Sequence, residues 1–168
     1  EYAWQGEQAD RAGQTEQAGL KILAEDLGQL DTGVYNLLKL TGLPGMNVWQ
    51  FSSEEVKAMT DKEVASRAVY TGTHDNQTLM GWCTANGMTI SDALEVVKEV
   101  YATDAPWVML QFQDMFMLGD ETRMNVPGVP EGNWTWKIPG ESVEKGLPNA
   151  SRVAFAFKQM ALANGRLQ

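Results

Sequence analysis

One cysteine and one histidine stand in a chain of 168 residues, and each scarcity removes a class of chemistry. Cys83 has no second thiol to pair with, so an internal disulfide and a cysteine-based zinc site are both excluded. That usage is compatible with a reducing, intracellular setting. His74 and scattered carboxylates offer no set with ligand-like spacing, and neither a metal nor a cofactor is expected. Neither Gly-x-x-x-x-Gly-Lys nor Gly-x-Gly-x-x-Gly occurs, which argues against nucleotide binding. Positive charge is also scarce: 13 Lys and Arg against 22 Asp and Glu give a formal charge of −9, which opposes nucleic-acid phosphates and anionic membranes. No apolar run approaches the roughly 20 residues of a membrane span, and Glu1-Tyr2-Ala3-Trp4 shows no basic region followed by an apolar one. The chain therefore reads as soluble and without a targeting address. Three glycosylation tripeptides, at Asn76, Asn133 and Asn149, read as chance matches.

The 43% hydrophobic content is enough for one core, hence one domain or part of one. Residues 1–18 are polar and glutamine-rich, and read as a loop or frayed segment. Gly19 to Ala24 is a short apolar run stopped by Glu25-Asp26, the pattern of a buried strand. Asp31 then caps a helix carrying Val34, Leu37, Leu38 and Leu40, closed by Gly42 and Pro44. Met46 to Phe51 is a second strand candidate, followed by a capping box at Ser52-Ser53-Glu54-Glu55 and a helix through Met59. A third strand is expected over Arg67 to Thr73, with a helix beginning over Thr78 to Trp82. Ser91-Asp92 then cap a helix whose Leu94, Val97, Val100 and Tyr101 share a face. Trp107 to Phe112 is a fourth apolar run, a Gly/Pro-rich loop fills 119–140, and Val153, Phe155, Phe157, Met160 and Leu162 mark a closing helix within 141–168. Four strands alternating with helices predict α/β architecture with a parallel sheet. Four such units are half of a (β/α)8 TIM barrel.

Thr73-His74-Asp75-Asn76 ends the third run and holds the chain's one histidine. In parallel α/β proteins reactive side chains sit where strands end, although a His-Asp pair there is also what a surface turn contains. Glu25 stands 50 positions earlier, likewise just past an apolar run, so in a barrel both carboxylates face one mouth. Paired carboxylates suit glycosidic-bond chemistry, one giving a proton to the leaving oxygen while another holds charge against an oxocarbenium-like centre. Acids after strands also serve as helix caps, as Asp26 or Asp114 could, and the pattern leaves both readings open. The long loop mixes Arg123, Asn125, Trp134 and Trp136, side chains that suit sugar hydroxyls and the C–H face of a pyranose. Packing of the two tryptophans onto the fold explains them equally well.

Taken together, Ala24-Glu25-Asp26-Leu27-Gly28, Gly42-Leu43-Pro44-Gly45-Met46 with Gln50-Phe51, Val69 to Asn76, Gln113-Asp114, and Arg123-Met124-Asn125 through Trp134-Thr135-Trp136 resemble the 4-α-glucanotransferases, the family of amylomaltase and the plant disproportionating enzyme. The resemblance runs from about residue 20 to 140. It implies a retaining (β/α)8 enzyme that cuts an α-1,4-glucan and passes the glycosyl part to the 4-hydroxyl of an acceptor sugar. It further implies Glu25 as acid/base on the fifth strand, Asp75 as transition-state stabiliser, and His74, Asn125, Arg123 and Trp134 as substrate contacts. The family's nucleophilic aspartate belongs to a fourth-strand Arg-x-Asp-His motif, which this sequence does not contain. The chain is therefore expected to be the C-terminal part of the catalytic barrel, 1–168 forming one partial domain, with 19–140 holding strands five to eight. It is expected to need the N-terminal half of the barrel for activity, and to work in the cytoplasm, or in a plastid if its source is a plant. The rival expectations are a non-catalytic malto-oligosaccharide-binding fragment and an α-amylase-type hydrolase that prefers water as acceptor.

Overall fold

The computed structural model describes residues 22–140 and 149–167. The expected polar segment 1–18, the first three residues of the first expected strand and most of the stretch before the closing helix lie outside them. Within them, three short strands, β1 (Gly45–Val48), β2 (Arg67–Tyr70) and β3 (Trp107–Met109), form a parallel sheet in the order β1-β2-β3. Gly45 lies opposite Arg67 and Val48 opposite Tyr70, while Ala68 lies opposite Trp107 and Tyr70 opposite Met109. A parallel neighbour needs a crossover, and helices supply it each time. α1 (Thr32–Thr41) precedes β1. α2 (Trp49–Ala58) and α3 (Asp61–Val64) link β1 to β2, and α4 (Leu79–Ala85) and α5 (Ile90–Ala102) link β2 to β3. Beyond β3 come α6 (Phe112–Met115), a 3₁₀ turn at Asp120–Thr122 and α7 (Ala150–Ala163). No helix among the described residues is long and apolar enough to cross a membrane.

The helix ends obey local chemistry. Asp31 accepts from the Val34 N–H at 3.0 Å, and Gly42, at φ 63°, closes α1 with a bond to Leu38 O. Thr60 with Glu63, and Thr89 with Asp92, form reciprocal capping boxes at the starts of α3 and α5.

Strand alternation sends Val69 to one face of the sheet and Ala68 and Tyr70 to the other. The first face is covered by α2, α4 and α5, where Trp49, Val56, Leu79, Cys83, Ala93, Val97 and Val100 pack around Val69 as the main core. On the second face Met46, Val48 and Ala68 form a smaller cluster with Leu23, Leu27, Tyr70 and Trp107.

Several sequence expectations are corrected. Three strands are described against the four expected, and of the first expected run only residues 22–24 are described, which make no ladder beside β1. Ala24 N donates to Pro44 O at 2.9 Å, but Pro44 has no N–H to return, and the next usable donor, Met46 N, is taken by Asp26 Oδ1 at 2.7 Å. The run Met46–Phe51 is strand only to Val48, and Trp49 already opens α2. The expected box at Ser52 is instead a kink inside α2, with Ser52 (φ −129°) donating its hydroxyl to Val48 O at 2.8 Å. β2 stops at Tyr70 rather than Thr73, and β3 at Met109 rather than Phe112. α5 begins at Ile90 with Thr89 as its cap, not Ser91, and buries Ala93, Val96, Val97 and Val100 while Leu94 is exposed.

Candidate active site

β2 leads directly into the site. Past Tyr70 the chain makes one more sheet bond, Thr71 N to Met109 O, and then turns at Thr73–Asn76, where Asn76 N donates to Thr73 O at 3.0 Å. The Asn76 side-chain oxygen closes the same turn from the other side, accepting from the Thr73 N–H at 2.8 Å and the Thr73 hydroxyl at 2.7 Å. Behind it, Gln50 donates to Gln77 O at 2.9 Å, and Gln111 reaches the same carbonyl at 3.5 Å. The turn is thus anchored to the elements that follow both neighbouring strands. A Cβ on Gly72 would meet the amides of Gln50 and Gln111 at 2.7 and 3.0 Å, so the anchoring depends on glycine there.

His74 and Asp75 project from this turn with about half of each side chain exposed, His74 Nε2 lying 3.3 Å from Asp75 Oδ1. The long loop comes to meet them. Asn125 N donates to His74 O at 3.1 Å, the Asn125 amide donates to Asp75 Oδ1, and Arg123 donates from Nη2 to Asp75 O at 2.7 Å. Arg123 Nε also holds Asn125 O at 2.8 Å. Trp134, bonded through its backbone N–H to Met124 O, lays its ring 5.1 Å from the His74 ring. It sits at φ 59°, in the left-handed region, and 58% of it is exposed. Trp136 behaves differently, packing 6.1 Å from Phe112, which stacks on Phe116. The two readings left open for these tryptophans therefore divide, Trp136 packing the loop and Trp134 facing outward over His74. Just before Trp134 the loop is self-closed, since Asn133 accepts from Val126 N at 2.9 Å and donates to Val126 O and Val129 O.

Glu25 comes from the segment that precedes α1. It lines, with His74, Asp75, Tyr70, Gly72, Met109 and Gln111, one cavity of about 670 Å³ over the second face of the sheet. Burial pushes the Tyr70 hydroxyl above the usual phenol range, and the nearby Glu25 carboxylate pushes it further. The adjoining Asp26 points away and is buried, pairing with Arg67 Nη1 at 2.5 Å, while Arg67 also donates to Met46 O and, at 2.7 Å, to Asn47 Oδ1. Asp26 lines a different cavity from Glu25, and its buried pair with Arg67 holds the backbone beside Glu25.

Of the six residues singled out from the sequence, Glu25, His74 and Asp75 line the cavity, while Arg123, Asn125 and Trp134 are not among its lining residues and join the His74-Asp75 turn by direct contacts. The sequence reading missed Tyr70, Gln50, Gln77 and Gln111. A polar residue one position before the end of an apolar run, as Gln50 and Gln111 are, was the available signal. Among the described residues no group of three or more His, Cys, Asp or Glu is placed to hold a metal ion. Two half-exposed acids and a histidine over an apolar floor, beside an outward tryptophan, suit proton transfer and charge stabilisation on a neutral, polyhydroxylated ligand.

A family model described as 4-alpha-glucanotransferase matches residues 3–143. The chain is 33% identical over 140 residues to the chloroplastic/amyloplastic 4-alpha-glucanotransferase of Arabidopsis thaliana, covering 73% of this chain and 24% of that protein. Against the Solanum tuberosum protein of the same name it is 30% identical over 165 residues, 88% of this chain and 28% of the relative. The Thermus thermophilus 4-alpha-glucanotransferase is 34% identical over 151 residues, 71% and 29% of the two lengths. Among solved structures, amylomaltase from Streptococcus agalactiae in complex with acarbose superposes with a TM-score of 0.71 at 26% identity, over 92% of this chain and 34% of that one. The chain spans between about a quarter and a third of the length of these relatives.

Proposed function

The chain belongs to the 4-alpha-glucanotransferase family, and we propose that it supplies two of the three carboxylates of a retaining glucan transfer. Glu25 is the acid/base: it protonates the leaving glucan oxygen, then takes the proton of the acceptor's 4-hydroxyl as that oxygen attacks. Asp75 holds negative charge against the oxocarbenium-like centre, and His74 with Trp134 receives the sugar ring beside it. The observation that carries this reading is the shared cavity of about 670 Å³, lined by Glu25 together with His74 and Asp75.

A double displacement also needs a carboxylate nucleophile, and the Arg-x-Asp-His motif that would carry it does not occur in these 168 residues. We therefore read 1–168 as one partial catalytic domain, the C-terminal half of a (β/α)8 barrel, inactive until joined to the remainder. The second face of the sheet, with Met46, Ala68, Tyr70 and Met109, is the face such a barrel turns inward. The substrate is an α-1,4-glucan or malto-oligosaccharide with a sugar acceptor. Bound acarbose in the Streptococcus agalactiae relative supports an oligosaccharide in this cavity. The cytoplasm, or a plastid as in the plant relatives' names, is the compartment that fits.

Joined to the rest of its barrel, the chain should disproportionate maltotriose, and Glu25→Gln should lower that turnover by about 10²–10⁴-fold. Near-normal turnover of the variant would overturn the acid/base assignment. Release of glucose without longer glucans would favour a hydrolase instead. Sugar binding with no turnover in the joined protein would favour a carbohydrate-binding fragment.

A further inference from the structure

We infer that Asn125 and Arg123 are positioning residues for Asp75. The inference rests on the reading of Asp75 as the stabilising carboxylate. One N–H of the Asn125 amide donates to Asp75 Oδ1, and the Asn125 backbone N–H is bonded to His74 O at 3.1 Å, so side chain and backbone both tie the loop to the turn. Arg123 is committed in the same direction. Its Nη2 donates to Asp75 O at 2.7 Å and its Nε to Asn125 O at 2.8 Å, so one guanidinium joins the backbone of the turn to the backbone of the loop.

The consequence for Asp75 is geometric. Its Oδ1 is held between the Asn125 amide and His74 Nε2, the latter at 3.3 Å, which fixes the plane of the carboxylate. With half the side chain in solvent, that plane would otherwise rotate among rotamers, and the Thr73–Asn76 turn orients only the backbone beneath it. A stabilising charge works when it is already aimed at the position where positive charge develops. Asn125 therefore acts through Asp75 on every reaction that passes through the same transition state, whatever the acceptor.

A sugar contact and a positioning residue give opposite kinetic signatures. In the joined enzyme, with maltotriose as donor and glucose as acceptor, Asn125→Ala should lower kcat for transfer and for the slow hydrolysis by the same factor, about 100-fold, leaving the acceptor KM within twofold. In an Asp75→Asn background the same substitution should cost less than about threefold, because no carboxylate remains to aim. Should Asn125→Ala unfold the protein by circular dichroism, Asn125→Leu removes the same donor at nearly constant shape without adding charge and should give the same common factor. Arg123→Lys should lower both rates together by a smaller factor. A raised acceptor KM with hydrolysis untouched, or an undiminished loss in the Asp75→Asn background, would overturn the inference and leave the catalytic reading of Asp75 intact. Unchanged turnover in Asp75→Asn alone would overturn both.

Discussion

The Thr71 hydroxyl donates to Asp114 Oδ2 at 2.5 Å, and both side chains are wholly buried although 43 residues separate them. The other oxygen of that carboxylate accepts the Leu79 N–H at 2.7 Å, at the first residue of α4. One acid thus fastens the end of β2 to the start of a helix, directly beneath the turn that carries His74 and Asp75.

Burial raises the Asp114 carboxyl above the ordinary aspartate range, against the lowering effect of the Leu79, Thr71 and Gln111 hydrogen bonds. A group whose folded value is raised favours the fold most when protonated, below its unfolded value near about 4, and that contribution is lost as pH climbs through the folded value. Asp114→Asn keeps both contacts, since the amide can accept from Leu79 and donate to Thr71, and it removes the titration. The variant should gain stability relative to the parent as pH rises above about 4, measured as the difference between urea midpoints at each pH. A flat difference curve would refute this. Asp114→Ala leaves two buried donors unsatisfied and should cost about 2–4 kcal/mol at any pH.

Asp26 pairs with Arg67 beside Gly45, where a Cβ would overlap both partners. Asp26→Ala strands a mostly buried guanidinium and should cost about 3 kcal/mol in chemical denaturation. Gly45→Ala should force the pair apart and cost about 1–3 kcal/mol. Because the pair holds the backbone beside Glu25, both variants should also lower kcat more than they raise KM in the joined enzyme. Loss of stability with kcat preserved would show that Glu25 is held by something else.

Arg166 fans over the C-terminal end of α5, donating to Tyr101 O and Ala105 O at 2.8 Å each and to Thr103 O. Those carbonyls lie at and beyond a helix end with no intrahelical partner, and a cation there also meets the negative end of the helix dipole. Arg166→Ala should cost about 2 kcal/mol in thermal or chemical melting. Arg166→Lys should recover less than half, since a point ammonium cannot span three acceptors. Full recovery by lysine would assign the effect to charge alone.

Trp134 presents an exposed ring beside His74, and its removal should weaken malto-oligosaccharide binding by about 1 kcal/mol, roughly fivefold in Kd, measured by calorimetry. Trp136→Leu, at a ring packed near Phe112, should leave Kd unchanged and lower the melting temperature. The reverse pattern would exchange the two roles.

Much of this architecture is legible along the chain, because apolar runs mark where β1, β2 and β3 begin and Asp31 with Gly42 marks both ends of α1. The ends of the strands are not legible. Trp49-Gln50-Phe51 and Phe112 continue an apolar run into a helix, and a short run of large side chains reads the same in either geometry. The missing ladder at 22–24 depends on Asp26 capturing a donor 20 residues away, which no local pattern displays. Glu25 and Asp75 stand out as acids after apolar runs, but the commitment of Asn125 to Asp75 spans 50 residues and appears only once the chain is folded.

The loop from Val126 to Asn133 satisfies its own backbone through the Asn133 side chain, and it leaves the machinery around Asp75 to the residues on either side of it. That makes it a replaceable cassette. Segments of other lengths could be grafted between Asn125 and Trp134 without altering strand register or the aim of Asp75.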